Sequence, residues 1–124
     1  IKKFKPNIIL THNEFEVNID HKITHQAVET AVRPVKESTI EKVYSFEIPC
    51  SGNWTLNKKF LPNTYLNIKS VWKDKIEAWK IYKDEIRPFP FPRSIKSLQT
   101  IAHYRGLQSG LELAEAYKLE RSIF

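Results

Sequence analysis

The sequence predicts an α/β fold, and three observations carry that reading. A short apolar run, Asn7-Ile8-Ile9-Leu10-Thr11, follows Pro6 and reads as a buried strand of the kind found in parallel sheets. Helical periodicity comes next, with Ile23, Ala27, Val28, Ala31 and Val32 recurring until Pro34 stops the pattern. Residues 43–48 then alternate, with Tyr44, Phe46 and Ile48 on one face and Val43, Ser45 and Glu47 on the other, as a strand does. Strand 7–11, helix 20–33 and strand 43–48 make one parallel βαβ unit, whose crossover is expected to be right-handed.

The remaining elements follow from local chemistry. Asn18 and Asp20 are both competent N-caps for the first helix. Pro49 ends the second strand, and residues 50–54 form a loop that carries Trp54. Residues 65–68 read as a short strand after Pro62-Asn63. A helix is expected over 71–86, where Trp72, Ile76, Trp79 and Ile86 share a stripe and charged residues cover the rest. Pro88-Phe89-Pro90-Phe91-Pro92 forces an extended segment. Ser94 caps a further helix with Ile95, Leu98, Ile101 and Ala102, and Gly106 and Gly110 are expected to break or bend the chain after it. In the tail, Leu111 and Ala114 keep helical spacing, whereas Tyr117, Leu119 and Arg121 alternate with Lys118 and Glu120 as a closing strand would.

At 124 residues the chain is the size of one small domain, with 41% hydrophobic and 12% aromatic residues, ordinary for a protein that buries a core. No run approaches the roughly 18 apolar residues of a membrane span. The chain has no methionine and opens on Ile1-Lys2-Lys3-Phe4-Lys5, so an internal starting point is expected. The single cysteine, Cys50, rules out an intramolecular disulfide and a cysteine-rich zinc knuckle, and fits a reducing, cytoplasmic setting. A net charge of +6 can serve a solvated lysine-rich surface or attract anionic partners. The basic residues are scattered apart from Lys2, Lys3 and Lys5, and Trp72 and Trp79 lie on an apolar stripe, so no nucleic-acid partner is expected.

The chemistry concentrates in Thr11-His12-Asn13-Glu14-Phe15-Glu16-Val17-Asn18-Ile19-Asp20-His21, which follows a buried strand and opens a helix. Sites in open α/β sheets gather at the carboxyl ends of strands. A histidine in the first helical turn can point into such a crevice, and a nearby carboxylate can orient it. The bland alternative is an N-cap aspartate beside a surface histidine. His21 and His25 share a helix face, but no glutamate follows the first histidine as in His-Glu-x-x-His proteases, so His25 reads as a packing or hydrogen-bonding residue. His103 reads as structural. The glycines are isolated, so no phosphate loop exists, and nothing near Cys50 would activate it as a nucleophile.

Thr11-His12, Asn18-Ile19-Asp20-His21-Lys22 and Val32-Arg33-Pro34 resemble the second metal motif of PIG-L (LmbE-like) deacetylases and the helix after it. Phe46-Glu47-Ile48-Pro49, Phe60-Leu61-Pro62-Asn63, Glu85-Ile86-Arg87-Pro88-Phe89-Pro90, Pro92-Arg93-Ser94 and Ala114-Glu115-Ala116-Tyr117 are similar to the family in the same order, so the resemblance spans residues 1–124. It implies a Rossmann-like three-layer sandwich with a mainly parallel sheet, of which this chain is the C-terminal portion. It implies a zinc ion with His21 as one ligand. The other two ligands and the general base belong to a His-Pro-Asp-Asp-Glu motif, which is absent from this chain.

The implied reaction is zinc-dependent hydrolysis of the N-acetyl group of an N-acetylglucosamine-type sugar or glycoconjugate. Asn18, where some members carry histidine, is expected to donate a hydrogen bond to the oxyanion. Asp20 is expected to orient an imidazole or the base, and His12 is the candidate general acid. Phe91 stands where relatives often have histidine. Arg87, Arg93 and Arg105 are expected to hold a phosphate or glycan part of the substrate, against a plain alternative of surface salt bridging. With one metal ligand the isolated chain is expected to be inactive, and an N-terminal complementing segment or a homo-oligomer is expected to complete it. The competing reading is a non-catalytic α/β module that binds a nucleotide-sugar, a glycan or a partner chain.

Overall fold

The computed structural model describes all 124 residues. It is a mixed α/β fold with strands β1 (Ile8–His12), β2 (Lys42–Phe46), β3 (Thr64–Asn67) and β4 (Ala114–Ser122), and helices α1 (Ile19–Ala31), α2 (Trp72–Lys80) and α3 (Ile95–Ser109). The strands form one sheet in the order β1-β2-β4-β3. No helix is long and apolar enough to cross a membrane. The chain divides into two compact units, Ile1–Thr64 with Tyr117–Phe124, and Tyr65–Ala116.

The first unit holds the expected βαβ element. β1 pairs with β2 in parallel from Ile8↔Lys42 to His12↔Phe46, with α1 as the crossover. The side-chain oxygen of Asn18 accepts from the Asp20 amide at 2.9 Å, so Asn18 is the cap and α1 starts at Ile19. Val32, Ile40 and Val43 form the core, with Ile9 and Val28 packed against them. Burying each contributes roughly 1.5–3 kcal/mol.

The inward face of α1 differs from the expected stripe. His21, His25, Val28 and Val32 are the residues withdrawn from solvent, while Ile23 is 57% exposed and Ala27 and Ala31 are exposed. Spacing of i, i+4, i+7 and i+11 puts the two histidines in line with the two valines. A pattern read from apolar residues alone could not see that face.

The expected mainly parallel sheet is replaced by a mixed one. β4 runs antiparallel to β2, from Lys42↔Ser122 to Phe46↔Tyr117. The bonds Asn63 N–H to Tyr117 O (3.0 Å) and Ile68 N–H to Leu113 O (3.1 Å) bracket β3 and run in opposite senses along the chain, as antiparallel strands require. A strand's direction depends on a distant partner, so its own residue pattern does not encode it.

The second unit packs Ile68, Ala102 and Leu113 with Trp72 against them. The single helix expected over 71–86 is shorter. A 3-10 turn at Lys69–Val71 leads into α2, which ends at Lys80, and a second 3-10 turn occupies Lys83–Glu85. Ile81 is 78% exposed, so nothing apolar rewards another helical turn there. Ile86 is already extended before Pro88. Trp72, Ile76 and Trp79 do share a half-buried face. Ser94 caps α3, accepting from the Ser97 amide at 3.0 Å. Gly106 does not break α3 but lies within it, and Gly110, at φ 72°, ends it.

Candidate functional site

β1 delivers Thr11 and His12 at its carboxyl end, and the connection to α1 turns inward rather than over the surface. Asn13 (2% exposed) and Glu16 (1% exposed) are both buried. The Asn13 amide donates to Phe46 O at 3.0 Å, which extends the β1–β2 ladder by one bond. The Val17 amide donates to Ser51 O at 3.2 Å, tying the connection to the loop after β2. Gly52 makes that approach possible, because a Cβ there would lie 2.9 Å from Ile48 O and 3.1 Å from Glu16 Oε1.

The buried Glu16 carboxylate faces His21. Its Oε2 lies 3.2 Å from His21 Nδ1. The Glu16 side chain has no exposure and that of His21 has 19%. In its neutral form His21 donates its Nδ1–H to the carboxylate and keeps the lone pair on Nε2. The His12 ring stacks on the His21 ring, with centroids 4.2 Å apart and planes 4° from parallel. His12 also leans on Phe46, with centroids 5.1 Å apart. Its Nδ1 and the Glu16 Oε1 are buried without a partner. His25 donates from Nδ1 to His12 O at 2.8 Å, so it is the hydrogen-bonding residue expected of it. Burial, then the charge of a protonated His21, holds the His12 pKa below the usual histidine range despite the opposing pull of Glu16. The neutral form is favoured, which leaves one ring nitrogen as a hydrogen-bond acceptor.

The other expected residues are placed as follows. Asn18 is exposed, and its side-chain oxygen is committed to the cap while its amide N–H₂ remains available as a donor. Asp20 is exposed in the first turn of α1, and its backbone oxygen accepts from Thr24 Oγ1 at 2.8 Å. The carboxylate beside the imidazole is thus Glu16. Sequence reasoning gave Glu16 no role, although an acid held between Phe15 and Val17, five residues before His21, was a signal. The three arginines belong to the second unit. Arg87 sits 5.0 Å from the Phe91 ring centroid, Arg93 pairs with Glu85, and Arg105 is 8% exposed and donates to Gln108 Oε1 at 2.8 Å. His103 donates from Nδ1 to Glu112 O at 3.0 Å, a structural bond. Cys50 is a buried thiol in no disulfide.

No three His, Cys, Asp or Glu side chains converge closely enough to hold a metal ion. A catalytic zinc takes three protein ligands. The donors present fit one share of such a site: an imidazole locked by a buried carboxylate, the arrangement by which proteins orient histidine ligands.

No protein-family model matches the chain, and no curated protein matches it. Among solved structures it is similar to the crystal structure of the conserved protein TT1542 from Thermus thermophilus, with a TM-score of 0.73 at 15% identity. The match covers 99% of this chain and 56% of that one, so the chain spans little more than half of its structural neighbour. At that identity the likeness concerns the fold alone.

Proposed function

We propose that this chain contributes part of the site of a zinc-dependent deacetylase acting on an N-acetylglucosamine-type sugar, with His21 as a metal ligand through Nε2. The observation that carries this reading is the Glu16–His21 pair: a carboxylate with no solvent exposure, 3.2 Å from Nδ1 of a histidine in the first turn of a helix. A buried carboxylate is costly unless matched, and pairing it with an imidazole at the end of a parallel strand is how metal sites fix ring orientation and tautomer. When bound, zinc would acidify a water and polarise the acetamide carbonyl. Around it, Asn18 would offer its amide donor to the developing oxyanion, and the stacked His12 would offer a neutral imidazole. On this reading the other ligands would come from a His-Pro-Asp-Asp-Glu motif outside these residues, as the resemblance to PIG-L deacetylases implies. This reading also takes the mixed sheet as one side of a larger Rossmann-like sheet, and places the protein in the cytoplasm.

The experiment compares acetate release from N-acetylglucosamine conjugates, and bound zinc, in the full-length protein and its His21→Ala variant. Loss of zinc and activity together supports the reading. Retained zinc with retained activity overturns it.

A second reading is favoured by the donor count, since fewer than three candidate ligands converge. It is a non-catalytic α/β module that binds a nucleotide-sugar, a glycan or a partner chain. Zinc-independent binding of such a ligand, with no acetate release from the full-length protein, would select it.

A further inference from the structure

A cavity of about 490 Å³ opens along the flank of α1, over β2 and β4, and none of His12, Glu16 and His21 lines it. Val28, Val32 and Val43 form its apolar part. An irregularity in β4 shapes one wall. Val43 is paired with Arg121 but Tyr44 with Leu119, so Glu120 is an extra residue in the ladder. Such a bulge re-aims side chains, and here Glu120 and Arg121, neighbours that would alternate in a regular strand, both reach the cavity.

Its hydrogen-bonding capacity is unevenly spent. Glu120 accepts from Ser45 Oγ at 2.7 Å and pairs with Lys118 at 2.8 Å, and Arg121 donates to Val32 O. Glu14, Lys22 and Glu29 reach the cavity with no such partner for their side chains. His25 donates from Nδ1 to a carbonyl, which leaves Nε2 as an acceptor. Thr11, also in the wall and 4% exposed, has a buried hydroxyl with no partner. An unpartnered buried hydroxyl costs free energy that a ligand can restore. With Lys118 paired to Glu120 the charges around the lining balance, but acceptors outnumber free donors, since Glu14, Glu29, His25 Nε2 and the Thr11 hydroxyl face Lys22 as the one unpartnered cationic side chain. A metal ion is the poorer occupant, because no three donors of the metal-binding types converge.

We propose that this cavity binds a small organic monocation, a primary amine on a short carbon skeleton. The ammonium has three donors and no acceptor. It pairs with Glu29 and draws on His25 Nε2 and the Thr11 hydroxyl, while the carbon body covers Val28, Val32 and Val43. The volume is within the usual range of small-molecule sites.

The test uses the isotope-labelled chain, titrated at neutral pH with cyclohexylamine, cyclohexanol and cyclohexanecarboxylate, and read by amide NMR shifts. A ligand this small is expected to bind with a Kd of roughly 1 mM. The amine should shift the amides of Thr11, Val43 and Arg121 in a saturable way, and the neutral and anionic rings should not. Glu29→Gln, on the exposed side of the helix, should weaken the amine about tenfold with the rest of the spectrum unchanged. Thr11→Val should weaken it as well. An equal response to cyclohexanol or the carboxylate, shifts that map elsewhere, no binding at all, or unchanged affinity in Glu29→Gln would overturn the proposal. Metal binding at His21 is measured separately, so failure here leaves the deacetylase reading standing.

Discussion

A carboxylate withdrawn from water must be matched by donors or it destabilises the fold by several kcal/mol, and one oxygen of Glu16 is matched by His21 Nδ1 while Oε1 has no partner. Orientation of the imidazole, expected of Asp20, therefore falls to Glu16 in this structure, and two conservative variants separate the candidates. Glu16→Gln keeps the shape and an acceptor oxygen but removes the charge. Its zinc affinity should drop about 10–100-fold, as for other groups that hold a metal ligand. Asp20→Asn, at an exposed carboxylate, should change zinc affinity far less. Competition titration against a chelator measures both, and an equal effect of the two would return the role to Asp20. His12 makes a second prediction at this scale. Its pKa is lowered in the folded state by burial and by its histidine neighbours. The unfolded chain, with an ordinary value of about 6.5, therefore binds more protons over the interval just below it. Stability is complete above that value and declines as pH falls through it toward the folded pKa. His12→Gln should remove this part of the acid limb, seen in the pH dependence of the urea midpoint.

Among the elements, α3 shows how a sequence rule can point the wrong way. A glycine inside a helix normally costs about 1 kcal/mol relative to alanine, so Gly106→Ala should stabilise on propensity alone. A Cβ at Gly106 would meet Leu111 O at 2.4 Å and Glu112 O at 2.8 Å, because the chain folds back there beyond the helix end. Gly106→Ala is therefore expected to destabilise, on the order of 2–3 kcal/mol for such overpacking. Gly110→Ala meets open space and has only its positive φ to bear, about 1–2 kcal/mol. Thermal melts of the two variants give the order, and a more stable Gly106→Ala would refute the close approach. The same contrast explains what the sequence made legible. The strand–helix–strand order was visible because turn residues and periodicity are local. The inward face of α1 was not, because two of its four positions are histidines rather than apolar residues. The end of α2 was not, because Ile86 keeps the spacing of the stripe although the helix has stopped at Lys80 and Ile86 is extended. Glu16 escaped notice because burial of a loop carboxylate depends on Ser51 and Gly52, far along the chain.

For the molecule as a whole, the question is how much of a metal centre one chain of this length can hold. The place of His21, in the first helical turn beyond a strand end, was readable from a strand, a polar stretch and an Asp-His pair, since each is local. Further ligands of the proposed centre were not, since ligands from separate segments leave no mark on each other's spacing. The structural neighbour extends well beyond the matched region, with 56% of its chain covered, while within this chain no three metal-type donors converge. Structural zinc sites are worth about 10–16 kcal/mol at neutral pH and use four protein ligands, and catalytic ones still take three besides a water. On the proposed reading, a locked His21 with a stacked His12 would supply a fraction of that. The 124-residue chain should accordingly bind zinc no tighter than about 1 µM and release no acetate from N-acetylglucosamine conjugates. Adding a second polypeptide that carries a His-Pro-Asp-Asp-Glu motif on its native scaffold should raise zinc affinity and restore acetate release, and His21→Ala should abolish both gains. The measurements are zinc stoichiometry by competition and acetate by enzymatic assay on the same samples. Tight zinc binding with turnover by this chain alone would show that its own residues complete the centre, and the shared-site reading would then be wrong.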